Sequence, residues 1–131
     1  MKKEPQNLLF SKTHEWVRNN GNNLFTVGVT QHAQHLLGEL VFIELPILHR
    51  QVAEGDEVAV LESVKTAADV YSPVQGEIVA INEELQKDPA QLNQDPYGKG
   101  WLFKVKGNAS LCLENLIDSA AYNKIVAAEE Q

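Results

Sequence analysis

The amine of Lys65 lies in a short connection between two predicted β-strands. A lysine in such a connection is usually a solvated surface charge. It is also suited to covalent modification, because small neighbours would let a modifying enzyme approach; these are Ser63, Thr66, Ala67 and Ala68. The spacing therefore permits both an ordinary surface lysine and a lysine displayed for modification.

Other side chains with reactive or metal-binding groups are interpreted as structural. His32 and His35 are three residues apart in a predicted helix, where both could face the same way as metal ligands do, but no third ligand is apparent nearby in the sequence. His14 is predicted to pack or hydrogen-bond within the fold. Cys112 is the only cysteine, so an internal disulfide is excluded, and it is interpreted as a small hydrophobic residue beginning a helix. We therefore expect no metal site.

Two further motifs are also interpreted as structural. Trp16 and Trp101 are predicted to pack in the core or at the edge of a groove, as aromatic residues of strands usually do. Residues 96–100 form a turn-rich segment with two glycines and a lysine, but their spacing is not that of a Walker loop. We therefore reject a phosphate-binding interpretation of this segment.

The composition excludes several classes of protein. A length of 131 residues suits one domain, and 44% hydrophobic with 22% charged residues is ordinary for a soluble globular protein. The net charge of −7 argues against nucleic acid and anionic membranes as partners, since both are bound by basic surfaces. Residues 1–7, predicted to be flexible, lack the apolar stretch of a signal peptide. We therefore predict a single cytoplasmic domain that binds neither nucleic acid nor membrane.

Two zones of different composition are expected to position Lys65. From about residue 8 to 107, short β-type runs separated by Gly, Pro and Asn are typical of a β-sandwich or barrel. The predicted strands are residues 15–18, 24–27, 40–45, 58–61, 69–71, 77–81 and 101–105. Residues 31–37 have the pattern of a short helix that ends at Gly38. The segment from about 110 to 128 lacks Gly and Pro and is predicted to be helical.

Local signals add detail to these zones. Asn20-Gly21 predicts a tight hairpin, because both residues tolerate positive φ. The strand at 40–45 is expected to be buried and to stop at Pro46. Two helices are predicted in the C-terminal segment, with apolar faces made of Leu113, Leu116 and Ile117 in the first and of Tyr122, Ile125 and Val126 in the second. Asp118 or Ser119 is the expected cap of the second helix.

A weak internal repeat surrounds the lysine. Residues 53–60 align with residues 74–81, and Gly55 corresponds to Gly76. In each copy a glycine turn leads into a strand, so the repeat predicts two quasi-equivalent hairpins. Lys65 lies at the midpoint between the two copies.

Several longer motifs resemble the H proteins of the glycine cleavage system. The motifs, in chain order, are Thr13-His14-Glu15-Trp16-Val17, Gly28-Val29-Thr30, Ala33-Gln34, Leu37-Gly38-Glu39, Glu44-Leu45-Pro46, Glu62-Ser63-Val64-Lys65, Asp69-Val70-Tyr71-Ser72-Pro73, Gly76-Glu77, Asn82, Leu92-Asn93 and Pro96-Tyr97-Gly98-Lys99-Gly100-Trp101. The resemblance extends over about residues 8–126. Two departures are the apolar, glycine-free residues 47–50 and Thr66, where the family more often has alanine.

The resemblance implies a fold and a cofactor site. The expected fold is mainly β, a barrel-sandwich hybrid of two small sheets with short helices and a helical C-terminus. The Glu-Ser-Val-Lys element resembles the lipoylation site of the family, which implies lipoate on Lys65 at a hairpin tip. The turn that a lipoylating enzyme would recognise then contains Glu62, Ser63, Val64 and Thr66.

The resemblance also implies a function and partners. The chain is expected to be a lipoyl-lysine carrier and not an enzyme, modified by a lipoyl ligase or transferase. It would carry the aminomethyl group of glycine from the pyridoxal-phosphate enzyme glycine decarboxylase to the tetrahydrofolate-dependent aminomethyltransferase. Dihydrolipoamide dehydrogenase would then reoxidise the lipoyl group. The cofactor supplies the chemistry, while the protein supplies position and shelter.

A carried amine is prone to hydrolysis, so we expect a cleft that excludes water and holds the ammonium group. The expected partners are the carboxylates of Glu15 and Asp69, with Thr13 as a hydroxyl partner. Under the alternative interpretation, both acids are solvated surface residues.

Rival interpretations share parts of these motifs. The lipoyl domains of 2-oxoacid dehydrogenases are shorter and have an Asp-Lys pair at the modified position. In biotin carriers the lysine lies between methionines, whereas Met1 is the only methionine of this chain. An H-like lipoyl relay, or an interaction module that hands lipoate to other enzymes, remains open as the alternative function.

Overall fold

Short antiparallel strands form two sheets in the computed structural model, which describes residues 7–107 and 115–129. The strands are β1 Leu9–Phe10, β2 Glu15–Asn19, β3 Leu24–Val29, β4 Leu40–Glu44, β5 Gln51–Val52, β6 Glu57–Ser63, β7 Ala67–Tyr71, β8 Gly76–Ile81 and β9 Phe103–Gly107. One sheet has the order β1-β2-β3-β9-β8-β5, and the other has the order β4-β6-β7. The mainly β class is confirmed.

Both sheets contribute to one hydrophobic core. The larger sheet supplies Val17, Val27, Ile78, Phe103 and Val105, and the smaller sheet supplies Ile43, Leu61 and Val70. Packing side chains of two short sheets into one core is the arrangement expected of a barrel-sandwich hybrid.

Four helices complete the described chain: α1 Gln31–Leu37, α2 Glu84–Lys87, α3 Ala90–Gln94 and α4 Ser119–Glu129. The prediction that α1 ends at Gly38 is confirmed, and this glycine has a φ of 83°. The side chain of Thr30 caps the start of α1. The carboxylate of Asp118 accepts a hydrogen bond from the N–H of Ala121 at 2.9 Å, so it caps α4 as one of the two expected residues. No helix in these residues is long and apolar enough to cross a membrane.

The prediction of a first C-terminal helix is wrong for residues 115–117, the part of it that the structure describes. Ile117 forms a β-bridge with Phe10, and each backbone N–H donates to the carbonyl of the other residue at 2.8 Å. The bridge satisfies backbone groups of the edge strand β1 that a helix would leave unpaired. Leu113 and Cys112 lie outside the described residues, as do residues 1–6 of the segment 1–7 that is predicted to be flexible.

β4 also differs from its prediction, because it is only half buried. Val41 and Phe42 are 52% and 48% exposed, and the strand ends at Glu44, before Pro46. β4 is an edge strand of a three-stranded sheet, and its register with β6 shifts between Leu40 and Phe42. A regular, central strand would bury these apolar side chains, whereas the register shift at a sheet edge leaves them facing solvent.

Of the two predicted glycine turns, the one before β6 is present at Gly55, whereas Gly76 is the first residue of β8, so the strands are not equivalent hairpins. Gly55 and Gly76 have φ values of 91° and 155°. β6 pairs with its immediate successor β7, whereas β8 pairs with β9 across a connection that contains α2 and α3. Sheet closure, which depends on distant strands, decides the partner of β8.

The β2–β3 hairpin is confirmed, although its positive-φ residues are shifted along the loop. Gly21, Asn22 and Asn23 have positive φ, and Asn20 does not. Asn20 instead donates its N–H to the carbonyl of Leu24 at 2.8 Å, which closes a longer loop than a two-residue turn.

Trp16 and Gly28 form a close pair across β2 and β3. Trp16 is fully buried, and its Nε1 donates to the carbonyl of Pro96 at 2.9 Å. A Cβ added to Gly28 would lie 2.6 Å from the indole ring, so the glycine makes room for the tryptophan. The expectation that Trp16 packs in the core is confirmed, since it is buried in a second cluster with Leu8, Phe10 and Tyr122. Trp101 is partly buried and packs against this cluster.

We expect Gly28→Ala to lower the free energy of unfolding by about 1–3 kcal/mol, because the added methyl displaces the indole of Trp16. A urea titration followed by circular dichroism measures this. In a Trp16→Leu background the same substitution is expected to cost less, since the ring is gone. Equal costs in both backgrounds would contradict the steric explanation.

Candidate functional site

Lys65 lies at the exposed tip of the hairpin formed by β6 and β7. The buried hydroxyl of Ser63 holds this tip together. Its Oγ accepts hydrogen bonds from the N–H groups of Lys65 at 3.3 Å and Thr66 at 3.1 Å, and it donates to the carbonyl of Thr66 at 3.1 Å. The backbone N–H of Ser63 also donates to that carbonyl at 2.7 Å. The lysine therefore projects from a tight and internally bonded turn.

The segment after α1 supports the tip from one side. The N–H of Val64 donates to the carbonyl of Glu39 at 3.2 Å. The side chain of Lys65 passes over Gly38, where an added Cβ would lie 3.3 Å from the lysine Cε. Because Gly38 has no side chain, the lysine stem can lie against the backbone there.

Asn93 of α3 fixes this supporting segment. Its Nδ2 donates to the carbonyl of Gly38 at 2.8 Å and to the side chain of Gln34 at 2.9 Å. Its Oδ1 accepts from the N–H of Leu40 at 3.0 Å. One side chain thus joins the end of α1 to the start of β4, beneath the lysine.

A cleft of about 170 Å³ opens beside the same hairpin. Its apolar wall consists of Val29, Ala33, Leu36, Leu37, Leu61, Ala68 and Val70, and its polar lining residues are Thr13, His14, Glu15 and Asp69. Leu37 directly precedes Gly38, and Ala68 is three residues beyond Lys65, about 10 Å along an extended strand. The cleft therefore lies within reach of an arm attached to the lysine.

Glu15 is a buried carboxylate in the lining of this cleft, with a relative exposure of 1%. It accepts hydrogen bonds from the hydroxyls of Ser11 and Thr13, and from the backbone N–H of Tyr71 at 3.2 Å. Burial raises the pKa of Glu15, and these donors oppose that shift. The donors stabilise the negative charge that burial disfavours.

The structure brings the three predicted pocket residues together around one cleft. Asp69 is an exposed residue in the lining of the cleft, while the hydroxyl of Thr13 donates a hydrogen bond to the carboxylate of Glu15. The alternative interpretation, in which both acids are solvated, is excluded for Glu15 by its burial. Glu62, Val64 and Thr66 are exposed at the hairpin tip and away from the cleft lining.

Sequence reasoning gave no role in the site to three residues that build it, although two of them, Gly38 and Asn93, lie in motifs that resemble the family. Ser11 is a donor to Glu15, Gly38 makes space for the lysine stem, and Asn93 fixes the backbone around Gly38. Ser11 precedes Glu15 by four residues, which is a weak signal of a local side-chain turn. Nothing in the local sequence connects Asn93 with Gly38, because they are 55 residues apart.

The histidines differ from their predicted arrangement. His32 is buried and His35 is exposed, so the two do not face the same surroundings. In a helix as short as α1, only one face contacts the body of the domain. The interpretation of His14 as an internal hydrogen-bonding residue is confirmed, since its Nδ1 lies 2.7 Å from the hydroxyl of Tyr122.

The turn-rich segment at 96–100 is a structural brace. In addition to the bond from Trp16 to Pro96, the guanidinium of Arg18 donates to the carbonyl of Tyr97 at 2.7 Å. These carbonyls anchor β2 to the loop.

The chain is similar over most of its length to proteins of one family. A profile of the glycine cleavage H-protein family matches residues 8–129. The glycine cleavage system H protein of Idiomarina loihiensis is 53% identical over 118 residues, which cover 90% of this chain and 92% of that protein. The glycine cleavage system H protein of Coxiella burnetii (strain Dugway 5J108-111) is 50% identical over 125 residues, which cover 95% of this chain and 96% of that protein.

A solved structure shows the same fold. The crystal structure of a glycine cleavage system H protein from Mycobacterium marinum has a TM-score of 0.84 and 32% identity, and the match covers 92% of this chain and 97% of that one. The predicted barrel-sandwich architecture is thereby confirmed. The chain belongs to the glycine cleavage H-protein family, and it is a lipoyl carrier of the glycine cleavage system and not an enzyme.

Proposed function

We propose that lipoate is attached to this carrier through an amide bond to Nζ of Lys65, and that the 170 Å³ cleft shelters the end of the resulting arm. The observation that carries the proposal is an exposed lysine on a rigid hairpin beside an apolar cleft that contains a buried carboxylate. A lysine displayed only for solubility needs neither the cleft nor the carboxylate.

The residues around Lys65 fit such an attachment. Gly38 leaves room for the lysine stem, and the hydrogen bonds of Ser63 hold the tip in one conformation. When bound, lipoate supplies a strained disulfide that accepts a carbon unit together with two electrons. The chain supplies a fixed starting point for the arm and limits where its far end can go.

The lining of the cleft suits both parts of a loaded arm. The aliphatic side chains favour a hydrocarbon chain by removing it from water. The carboxylates of Glu15 and Asp69 are suited to an ammonium group, and Glu15 is held in place by its three donors. We propose that these two acids retain the amine and that the apolar walls exclude water from it.

The partners are enzymes of glycine cleavage. We propose that they are glycine decarboxylase, aminomethyltransferase and dihydrolipoamide dehydrogenase, together with a lipoyl ligase or transferase that modifies the chain. Exposed apolar side chains occur on the elements around the lysine; they are Leu36, Val41, Phe42 and Val64. Such side chains suit repeated docking with successive enzymes.

The net charge of −7 favours partners with basic surfaces, and the resulting attraction weakens as the salt concentration rises. The cytoplasmic location stays a prediction.

Intact mass followed by peptide mapping tests the attachment site. The full chain is expressed with lipoate and a lipoylating enzyme, alongside a known lipoyl domain as positive control. We expect a lipoyl-sized increase confined to the peptide that contains Lys65. No increase, while the control domain is modified, would overturn the proposal.

Ser63 and Thr66 provide a matched pair for the recognition turn. We expect Ser63→Ala to slow lipoylation by about tenfold, because each lost hydrogen bond contributes about 1 kcal/mol to the turn conformation. Thr66→Ala should leave the rate unchanged, since the Thr66 hydroxyl makes only a 3.5 Å contact with the carbonyl of Ala67. The measurement is the initial rate of mass gain, and equal rates for the two variants would contradict the role given to Ser63.

A further inference from the structure

Two histidines and a glutamate converge on the side of the cleft where α4 ends. The Nε2 atoms of His14 and His32 each lie 3.1 Å from a different carboxylate oxygen of Glu129. One ligand atom from each of the three residues lies within 4.8 Å of the others. The residues come from the turn before β2, from α1 and from the last residue of α4, so only the tertiary structure brings them together.

The donor set is that of a transition-metal site. Two imidazoles and one carboxylate are the protein ligands of many zinc sites with a fourth position open to water. Tetrahedral ligands at 2.0–2.1 Å from zinc are about 3.3 Å apart. The two histidine–glutamate distances already match that spacing. The histidine pair has to approach by at most about 1.5 Å, and the exposed end of Glu129 can follow.

A second layer of hydrogen bonds orients His14. Its Nδ1 lies 2.7 Å from the hydroxyl of Tyr122, which in turn lies 2.6 Å from the hydroxyl of Thr30. With Nε2 on a metal, Nδ1 carries the proton and donates to Tyr122, which then donates to Thr30. Such an outer partner is typical of metal-binding histidines.

The position of Glu129 adds an electrostatic reason for a cation. It lies in the last turn of α4, at the negative end of the helix dipole, and that turn contains no basic residue. A negative charge at a helix C-terminus is unfavourable unless a cation or strong donors compensate it.

From this geometry we infer that His14, His32 and Glu129 bind one divalent transition-metal ion, for which Zn²⁺ is the fitting occupant. The ion joins the end of α4 to α1 and to the turn before β2. Since His14 also lines the 170 Å³ cleft and precedes Glu15, the ion braces one wall of that cleft. The inference is independent of the lipoyl attachment at Lys65.

Titration of the full chain with Zn²⁺ tests the site. The protein, free of any affinity tag and treated with a chelator, is titrated calorimetrically, and Co²⁺ is added separately to read the coordination geometry from the visible spectrum. We expect one ion per chain, a tetrahedral cobalt spectrum and a higher melting temperature with Zn²⁺, because binding to the folded state stabilises it. Absence of binding would show that the three residues form only a hydrogen-bonded contact and would overturn the inference.

Three variants locate the binding. Glu129→Gln and His32→Gln are each expected to weaken Zn²⁺ binding at least tenfold, whereas His35→Gln on the exposed face of α1 should bind as the unaltered chain does. Glu129 is partly exposed, so its variant is expected to fold, which circular dichroism verifies without metal. Unchanged binding in Glu129→Gln, or an equal loss in His35→Gln, would overturn the inference.

Discussion

Lys65→Arg is expected to abolish lipoylation of the chain completely and with it all glycine-dependent loading. Arginine retains the positive charge at the hairpin tip, but its guanidinium is not acylated by enzymes that form an amide on a lysine amine. Lys65 is exposed, so the free energy of unfolding should change by less than about 0.5 kcal/mol. Intact mass after incubation with the lipoylating enzyme measures the effect, and urea denaturation verifies the fold.

Lys87→Arg is the matched control for this prediction. Lys87 is also an exposed lysine, with 77% of its side chain accessible, but it lies in α2. This variant should gain the same mass as the unaltered chain. Modification of Lys65→Arg to the same extent would mean that another lysine is the attachment point, and the proposed function would then need a different site.

The second large effect is expected at Glu15. We expect Glu15→Gln to shorten the lifetime of the glycine-loaded carrier by about tenfold while lipoylation proceeds normally. A hydrogen bond from an ammonium group to a carboxylate contributes about 1.5 kcal/mol or more. The oxygen of a neutral amide is a weaker acceptor for the same ammonium group. The measurement is the rate at which ammonia and formaldehyde appear from purified loaded carrier.

Glutamine is a suitable replacement because its amide fits the existing hydrogen bonds. Its oxygen can accept from the N–H of Tyr71, and its NH₂ group can donate to Ser11 and Thr13 once their hydroxyls rotate. The fold should therefore be retained, and a thermal melt verifies this. A loss of loaded lifetime can then be attributed to the charge.

Two other acids test whether position matters. Asp69→Asn is expected to shorten the lifetime less than Glu15→Gln, because Asp69 is exposed and its charge is screened by water. Glu44→Gln, on β4 outside this cleft, should have no effect. An unaltered lifetime in Glu15→Gln would remove Glu15 from the proposed pocket.

Much of the fold could be predicted from local sequence. The α1 helix, its cap Thr30 and its final glycine follow from rules that operate within a few residues. The β2–β3 hairpin and the turn at Lys65 likewise depend on neighbours in the chain. Motifs spread from residue 13 to residue 101 indicated the family, and that resemblance implied a modified Lys65, whereas the local turn by itself permits an ordinary surface lysine equally well.

Other features required contacts between distant segments. Ile117 is extended because it completes the edge of β1, and β4 is half exposed because it is an edge strand with a register shift. Helical or buried patterns in those segments are genuine local preferences that the pairing of strands overrides.

The features of the candidate site also divide into those predicted from sequence and those that required the tertiary structure. Sequence alone determined that Lys65 lies between two strands, that the fold is mainly β, and which family the chain resembles. Only the tertiary structure decided that Glu15 is buried with its donors and that His14, His32 and Glu129 meet. Burial and ligand geometry depend on which surfaces pack against each other across 100 or more residues, as for His14 and Glu129, which are 115 apart. No local pattern encodes that packing, because α4 is held in place through Tyr122, which packs with Leu8, Phe10 and Trp16 from the opposite end of the chain.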